Sequence, residues 1–256
     1  MQNPLKTRMI NRQATRGFWL EAAQPTMAEA ATQAGHRFLL IDNEHSPASL
    51  NCTLHMMRAI KAADGHPMAR VAGNDPVALK FLLDLGMTSI MIPQINTADE
   101  ARAAIAACRY PPRGTRGFAG DIRASRFGQD SDYAQTAHES LFLMLQIESV
   151  QAVDNIEDIA RVDGLDMLFV GPYDLSGTLG HLGETDHPLV EEAIARVETV
   201  ARSLDVPLGT VPRAGKTVRD LLDGAYDLVI GGSELGMMIA AIKDDLAAGD
   251  EHWLGV

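Results

Sequence analysis

Short apolar runs of strand length alternate along the chain with longer segments of helical period. The runs fall at 17–20, 38–41, 68–71, 89–92, 141–147, 166–170, 206–209 and 228–230, and the spacing predicts helices over 25–34, 49–63, 76–85, 98–108, 150–160, 188–204, 217–222 and 234–248. Alternation of this kind is the pattern of a parallel sheet built from βα units. Eight strands with eight helices in 256 residues fit a (β/α)8 barrel, a TIM barrel, forming one domain over residues 1–256. An open doubly wound sheet is disfavoured because no Gly-x-Gly-x-x-Gly follows the first strand.

Helix boundaries carry their own signals. Asn74-Asp75-Pro76 and Asn96-Thr97-Ala98-Asp99-Glu100 read as starts, and Gly35, Gly86 and Gly224 as exits. The connection from Arg109 to Ser140 is too long for a simple αβ loop and is expected to be functional or to make subunit contacts. The last helix runs into an acidic tail, expected to pack on a neighbour.

Charge narrows the partners. With 34 acidic against 22 basic residues and a formal charge of −12, the chain lacks the clustered cations that nucleic acid requires. Only Cys52 and Cys108 are present, so a disulfide framework is not expected. The first sixteen residues hold no apolar stretch long enough for a secretory segment or a membrane span, which places the protein in the cytoplasm.

The candidate chemistry lies just after the apolar runs, where a barrel enzyme places its active site. Asp42-Asn43-Glu44-His45 follows the second run, Arg70 follows Pro67-Met68-Ala69 within the third, Glu148 follows the fifth and Asp174 the sixth. In a parallel barrel these positions converge on one face. Glu148 and Asp174 end neighbouring strands about 5 Å apart, and two carboxylates that close repel unless a cation or proton lies between them. A hard divalent ion with open positions for a 2-oxo acid answers this; helix capping by Glu148 and turn capping by Asp174 is the plain alternative.

His45 is the natural proton carrier, with Asp42 on the same turn to hold one ring nitrogen. His36, His55, His66, His138, His181, His187 and His252 lack such surroundings and read as structural. Arg70 suits a substrate carboxylate or a developing oxyanion, or simply pairs with one of the many acids. Asp84, near the end of the third predicted helix, reads as a solvated face residue, and Gly231-Gly232 as an anion-binding helix start or plain turn glycines. No predicted strand offers a buried lysine for a Schiff base, and only Lys216 could approach the catalytic face. Metal stabilisation of an enolate is then the expected mechanism.

The ordered set of segments resembles the HpcH/HpaI-type class II pyruvate aldolases, which cleave or form 4-hydroxy-2-oxo acids. It is carried by Phe38 through Pro47, Arg70 through Pro76, Ile92-Pro93-Gln94, Arg109 through Gly117, Gln146-Ile147-Glu148-Ser149 and Val170 through Ser176. The resemblance implies a lyase that releases pyruvate or hydroxypyruvate and an aldehyde. It implies Mg2+, Mn2+ or Co2+ on Glu148 and Asp174, with His45 and Asp42 as acid/base and Arg70 on the keto oxygen. It also places Gln146 beside the ligand and the amides of Tyr173 and Asp174 on its carboxylate, and counts Asp84 with the catalytic residues, matching it to an acid near a subunit boundary. A hexamer that exchanges its C-terminal helix is implied as well. Asn43, where many relatives have glycine, and Gly231-Gly232-Ser233-Glu234 depart from the pattern. The alternatives are a citramalyl- or malyl-CoA-type lyase, which would need a basic surface not evident here, and a non-catalytic barrel that binds a small acid.

Overall fold

The protein is described by a computed structural model covering residues 3–248. Asp250, Glu251 and His252, which include the acidic tail, lie outside the described residues. Eight parallel strands close into a barrel in the order β1 to β8: Thr15–Leu20, Phe38–Asp42, His66–Arg70, Ser89–Ile92, Phe142–Ile147, Met167–Val170, Leu208–Thr210 and Leu228–Ser233. β8 pairs with β1 to close it, with Gly17 opposite Ile230. The helices are α1 (Pro4–Ile10), α2 (Pro25–Gln33), α3 (Leu50–Ala62), α4 (Pro76–Asp84), α5 (Ala98–Cys108), α6 (Tyr133–Thr136), α7 (Val150–Asp154), α8 (Ile156–Ala160), α9 (Pro172–Thr178), α10 (Pro188–Ser203), α11 (Val218–Leu222) and α12 (Glu234–Ala248).

All eight predicted strands are present. Three local differences have physical causes. The expected helix over 150–160 breaks at Asn155 into α7 and α8. Asp174 falls not in a bare turn but in the first turn of α9, which Pro172 opens. The basic N-terminal segment folds as α1, capped by Asn3, whose side chain accepts from the Leu5 and Lys6 amides. Such a short helix has little stability alone and owes its existence to packing.

That packing seals one end of the barrel. Leu5 and Met9 insert among Leu40, Met68, Met91, Phe142, Met144, Met167 and Phe169, the inward side chains of the strands. Burying the pair stabilises this plug by about 3–6 kcal/mol before entropy is counted. Gly209 leaves room for Phe169, since a β-carbon there would lie 2.6 Å from its ring. The alternate set, with Leu39, Ile41, Ala69, Leu143, Leu145, Leu168 and Val170, faces the helices in the larger outer core.

Alternation then carries the same parity to the open end. Asp42 follows Leu40, Arg70 follows Met68, and Gln146 and Glu148 follow Met144, so each points inward once the apolar layers are passed. The 109–140 connection contains α6 and turns at Arg123–Ser125 and Ala137–Ser140, and joins α5 to the start of β5. It therefore lies at the plugged end and does not cover the open mouth.

Candidate active site

β2 and β3 pair so that Asp42 stands opposite Arg70. The guanidinium grips the carboxylate with both prongs, Nε to Oδ1 at 2.9 Å and Nη2 to Oδ2 at 2.7 Å. Burial alone would raise the Asp42 carboxyl, yet the hydrogen bonds and charge of Arg70, with the amides of Glu44 and His45, hold it below the ordinary carboxylate range. Arg70 also lies over the Trp19 indole at the end of β1, 4.6 Å from the ring centre, which adds a cation–π contact.

The same geometry decides what Asp42 does. Its carboxylate is occupied by Arg70 and by the Glu44 amide at 3.0 Å. Glu44, not Asp42, is the carboxylate facing His45: its Oε2 lies 3.9 Å from His45 Nε2 and 3.2 Å from Arg70 Nη1. The His45 side chain is itself 65% exposed at the mouth, free to meet a ligand.

Across the barrel, Glu148 is almost fully buried at the end of β5. Its Oε1 accepts the Gln94 amide at 2.7 Å, and its Oε2 accepts from Gln146 Nε2. Gln94 delivers that amide from a left-handed backbone, φ +58°, uncommon for a residue with a side chain. Gly171, after β6, is needed here: a β-carbon would come within 2.9 Å of the Glu148 Cβ and Oε2. Burial pushes the Glu148 carboxyl up to about 7, and the charges of Asp174 and Glu44 push the same way against the Gln94 and Gln146 hydrogen bonds.

Between these groups lies a cavity of about 570 Å3, lined by Trp19, His45, Arg70, Gln146, Tyr173 and Asp174 among others. That volume suits a small metabolite. In the first turn of α9 the Tyr173 and Asp174 amides have no protein acceptor among the described residues, so they are free to meet an anion. Among the described residues, no lysine lines the cavity.

The residues fit a hard divalent ion. Glu148 and Asp174 are oxygen donors, the charge of Asp174 is felt by Glu148, and Gln146 Oε1 is buried without a hydrogen-bond partner among the described residues. A cation beside them would reverse the electrostatics that hold Glu148 near neutrality. A second group of possible ligands, His181, Glu184 and His187, comes within 4.8 Å outside this cavity. There His187 Nδ1 already accepts the Leu189 amide at 3.3 Å, capping α10.

The structure thus brings Asp42, His45, Arg70, Gln146, Glu148, Tyr173 and Asp174 around one mouth. Asp84 is elsewhere. It ends α4 and pairs with Arg116 at 2.7 Å, on the side of the 109–140 connection. Lys216 bridges back to Arg213 in an exposed turn and does not reach the cavity. Trp19 carried no distinguishing signal in the sequence; Gln94 did, within Ile92-Pro93-Gln94, but nothing there shows that its backbone amide meets Glu148. Glu44 did, as part of the charged tetrapeptide, but its direction toward Arg70 and His45 depends on the turn.

A family model described as HpcH/HpaI aldolase/citrate lyase matches residues 15–241. The chain is 41% identical over 241 residues to a 2-dehydro-3,6-dideoxy-6-sulfogluconate aldolase from Pseudomonas putida, covering 94% of each chain. It is 38% identical to a hydroxypyruvate/pyruvate aldolase from Cupriavidus necator, covering 96% of this chain and 91% of that one. A crystal structure of an HpcH/HpaI aldolase/citrate lyase family protein from Burkholderia cenocepacia J2315 superimposes with a TM-score of 0.92 at 37% identity, over 96% of this chain and 98% of the other.

Proposed function

Because the chain belongs to the HpcH/HpaI aldolase/citrate lyase family and is a carbon–carbon lyase, we propose that its cavity cleaves a 4-hydroxy-2-oxo acid to pyruvate, or hydroxypyruvate, and an aldehyde. The observation that carries this reading is the convergence of Arg70, His45, Gln146 and Asp174 on one cavity beside buried Glu148. We assign Glu148 and Asp174 as the groups that would hold Mg2+, Mn2+ or Co2+. When bound, such an ion supplies Lewis-acid stabilisation of negative charge on the keto acid.

The rest is done by the chain's own groups. The amides of Tyr173 and Asp174 receive the substrate carboxylate, and Gln146 lies beside the keto acid. His45, exposed at the mouth, takes the proton from the 4-hydroxyl. The bond between carbons 3 and 4 breaks, the aldehyde leaves, and the electron pair collects as the enolate of pyruvate. Arg70, held rigid by Asp42 and Trp19, places its positive charge where that oxyanion develops. A proton returned to carbon 3 completes the cleavage, and synthesis runs the same steps backwards.

A panel of aldehydes offered with pyruvate and with hydroxypyruvate tests this directly, with Mg2+, Mn2+ or Co2+ added. Aldol products should form with at least one ion and vanish in excess chelator. Full turnover in chelator, with no metal retained on the protein, would end the reading. His45→Ala should cost about 10²–10⁴-fold in kcat if the ring carries the proton, and an unimpaired variant removes His45 from the mechanism.

The remaining assignments are coarser. Apart from Glu234 at its start, α12 buries nothing among the described residues and leaves Met237, Met238, Ile239, Ile242 and Leu246 exposed. We therefore propose that other copies of this chain cover it in a hexamer with exchanged C-terminal helices. Light scattering at a monomer's mass would refute that assembly. No described helix is long and apolar enough to cross a membrane, and we assign the enzyme to the cytoplasm, which cell fractionation can check.

A further inference from the structure

The plugged end of the barrel carries a second cavity, of about 470 Å3, whose charge is opposite to that of the molecule as a whole. Lys61 near the end of α3, His66 at the start of β3, and Arg123 and Arg126 in the 109–140 connection all line it. Thr88 and Tyr133 add hydroxyl groups, and among the described residues Asp130 is the one carboxylate-bearing residue in the lining. Arg58, one turn before Lys61 on α3, adds a further positive charge close enough to be felt by Arg123.

In a chain with 34 acids to 22 bases, this local gathering of cations runs against the overall charge. Among the described residues, none of Arg58, Lys61, Arg123 and Arg126 lies within salt-bridge distance of a carboxylate. They act on one another instead: burial and the Arg123 charge lower the Lys61 ammonium, and burial and Arg58 lower the Arg123 guanidinium. Burial and Lys61 bring His66 down to about 4, so it faces the cavity as a neutral ring, its Nε2 2.8 Å from the Ser89 hydroxyl. Such mutual repulsion is a standing cost that an anion would remove.

The backbone supports the arrangement. Arg126 and Phe127 both adopt left-handed conformations, φ +54° and +57°, ahead of Gly128 at +82°. Two successive side-chain-bearing residues in that region are uncommon, and strain of this kind persists where the surroundings hold it in place. Here it sets Arg126 at the cavity rim.

We propose that this cavity binds a small phosphorylated metabolite through Lys61, Arg123 and Arg126, at the opposite end of the barrel from the aldolase mouth. Two arginine forks and an ammonium suit the several oxygens of a phosphoryl dianion, and the volume leaves room for an organic remainder beyond the phosphate. The two sites are joined by a single strand: His66 opens β3 and Arg70 ends it, about 13 Å further on at the usual strand rise.

Isothermal titration of the full-length enzyme with glycerol phosphate, inorganic phosphate and, as a control, succinate tests the proposal. Saturable binding of a phosphate compound is expected, weakened by added salt and by about tenfold or more in the Lys61→Gln/Arg126→Gln double variant. Neither residue lines the aldolase mouth, and aldol turnover should be unchanged. Preference for glycerol phosphate would identify an esterified ligand, and preference for inorganic phosphate would identify the free anion as the ligand of the same site. The proposal is overturned if neither phosphate saturates by about 10 mM, if succinate binds as well, or if the double variant binds equally, which would place the anion at the catalytic mouth.

Discussion

Glu148→Gln is expected to make the metal-free protein more stable while abolishing its aldol activity. In the fold the carboxyl titrates near 7 against an ordinary 4.5, so the folded state holds the proton more tightly than the unfolded chain. The stability this contributes is complete below 4.5 and is lost as pH rises through about 7. Ionising Glu148 in the absence of a cation therefore costs on the order of 3 kcal/mol. Glutamine escapes that cost and can keep its hydrogen bonds: its Oε1 can still accept the Gln94 amide. Its NH2 can donate to Gln146 if that amide turns, which would also satisfy the buried Gln146 Oε1.

Thermal unfolding in chelator should thus show the two proteins alike near pH 4.5 and the variant higher at pH 8. The gap should be roughly 6–12 °C for a chain of this size. Turnover should fall by about 10³-fold or more if Glu148 holds the ion. Parallel stability curves would mean that Glu148 carries no strained charge. Activity retained within tenfold would remove it from the ion's ligands.

Asp42→Asn should act in the opposite sense, damaging stability and activity together. Arg70 is 8% exposed and relies on Asp42 for two charge-assisted hydrogen bonds. Asparagine offers one oxygen and turns an NH2 toward the guanidinium. Breaking a buried pair from one side costs about 3–5 kcal/mol, and Glu44, 3.2 Å from Arg70 Nη1, should keep the loss near the lower figure. The wild-type carboxyl lies below its ordinary value, so the pair contributes fully above that value and is lost as pH falls through the folded pKa. Urea unfolding at neutral pH should show the deficit, and the two proteins should converge in acid. Released from its partner, Arg70 should also meet the oxyanion less well, lowering kcat. A difference within about 0.5 kcal/mol would show that Arg70 is held by its other contacts.

The two variants also separate what was legible early from what was not. Asp42, Arg70, Gln146 and Glu148 lie at the ends of apolar runs, and their inward direction is fixed by counting two at a time from Leu40, Met68 or Met144. Partner choice is not periodic. Asp42 was expected to hold the His45 ring because the two lie on one turn, but parallel pairing of β2 with β3 sets Asp42 opposite Arg70, and the ring faces Glu44 instead. The Gln94 amide reaches Glu148 only because its loop adopts a left-handed backbone. Asp84 sits at a helix end whose position in the barrel assigns it to Arg116, on the other side from the mouth.

By itself the sequence determined the alternation of strands and helices, the closed barrel that eight such units form, and which side chains turn inward at the strand ends. These follow from periods of 2 and 3.6, which are properties of neighbouring residues along the chain. The tertiary structure alone decided that α1 plugs the barrel, that Arg70 locks onto Asp42, that Gly171 makes room for Glu148, and that Lys61, Arg123 and Arg126 share a cavity. Each of those is a meeting of segments far apart in sequence, set by strand register and loop conformation, and no local pattern encodes it.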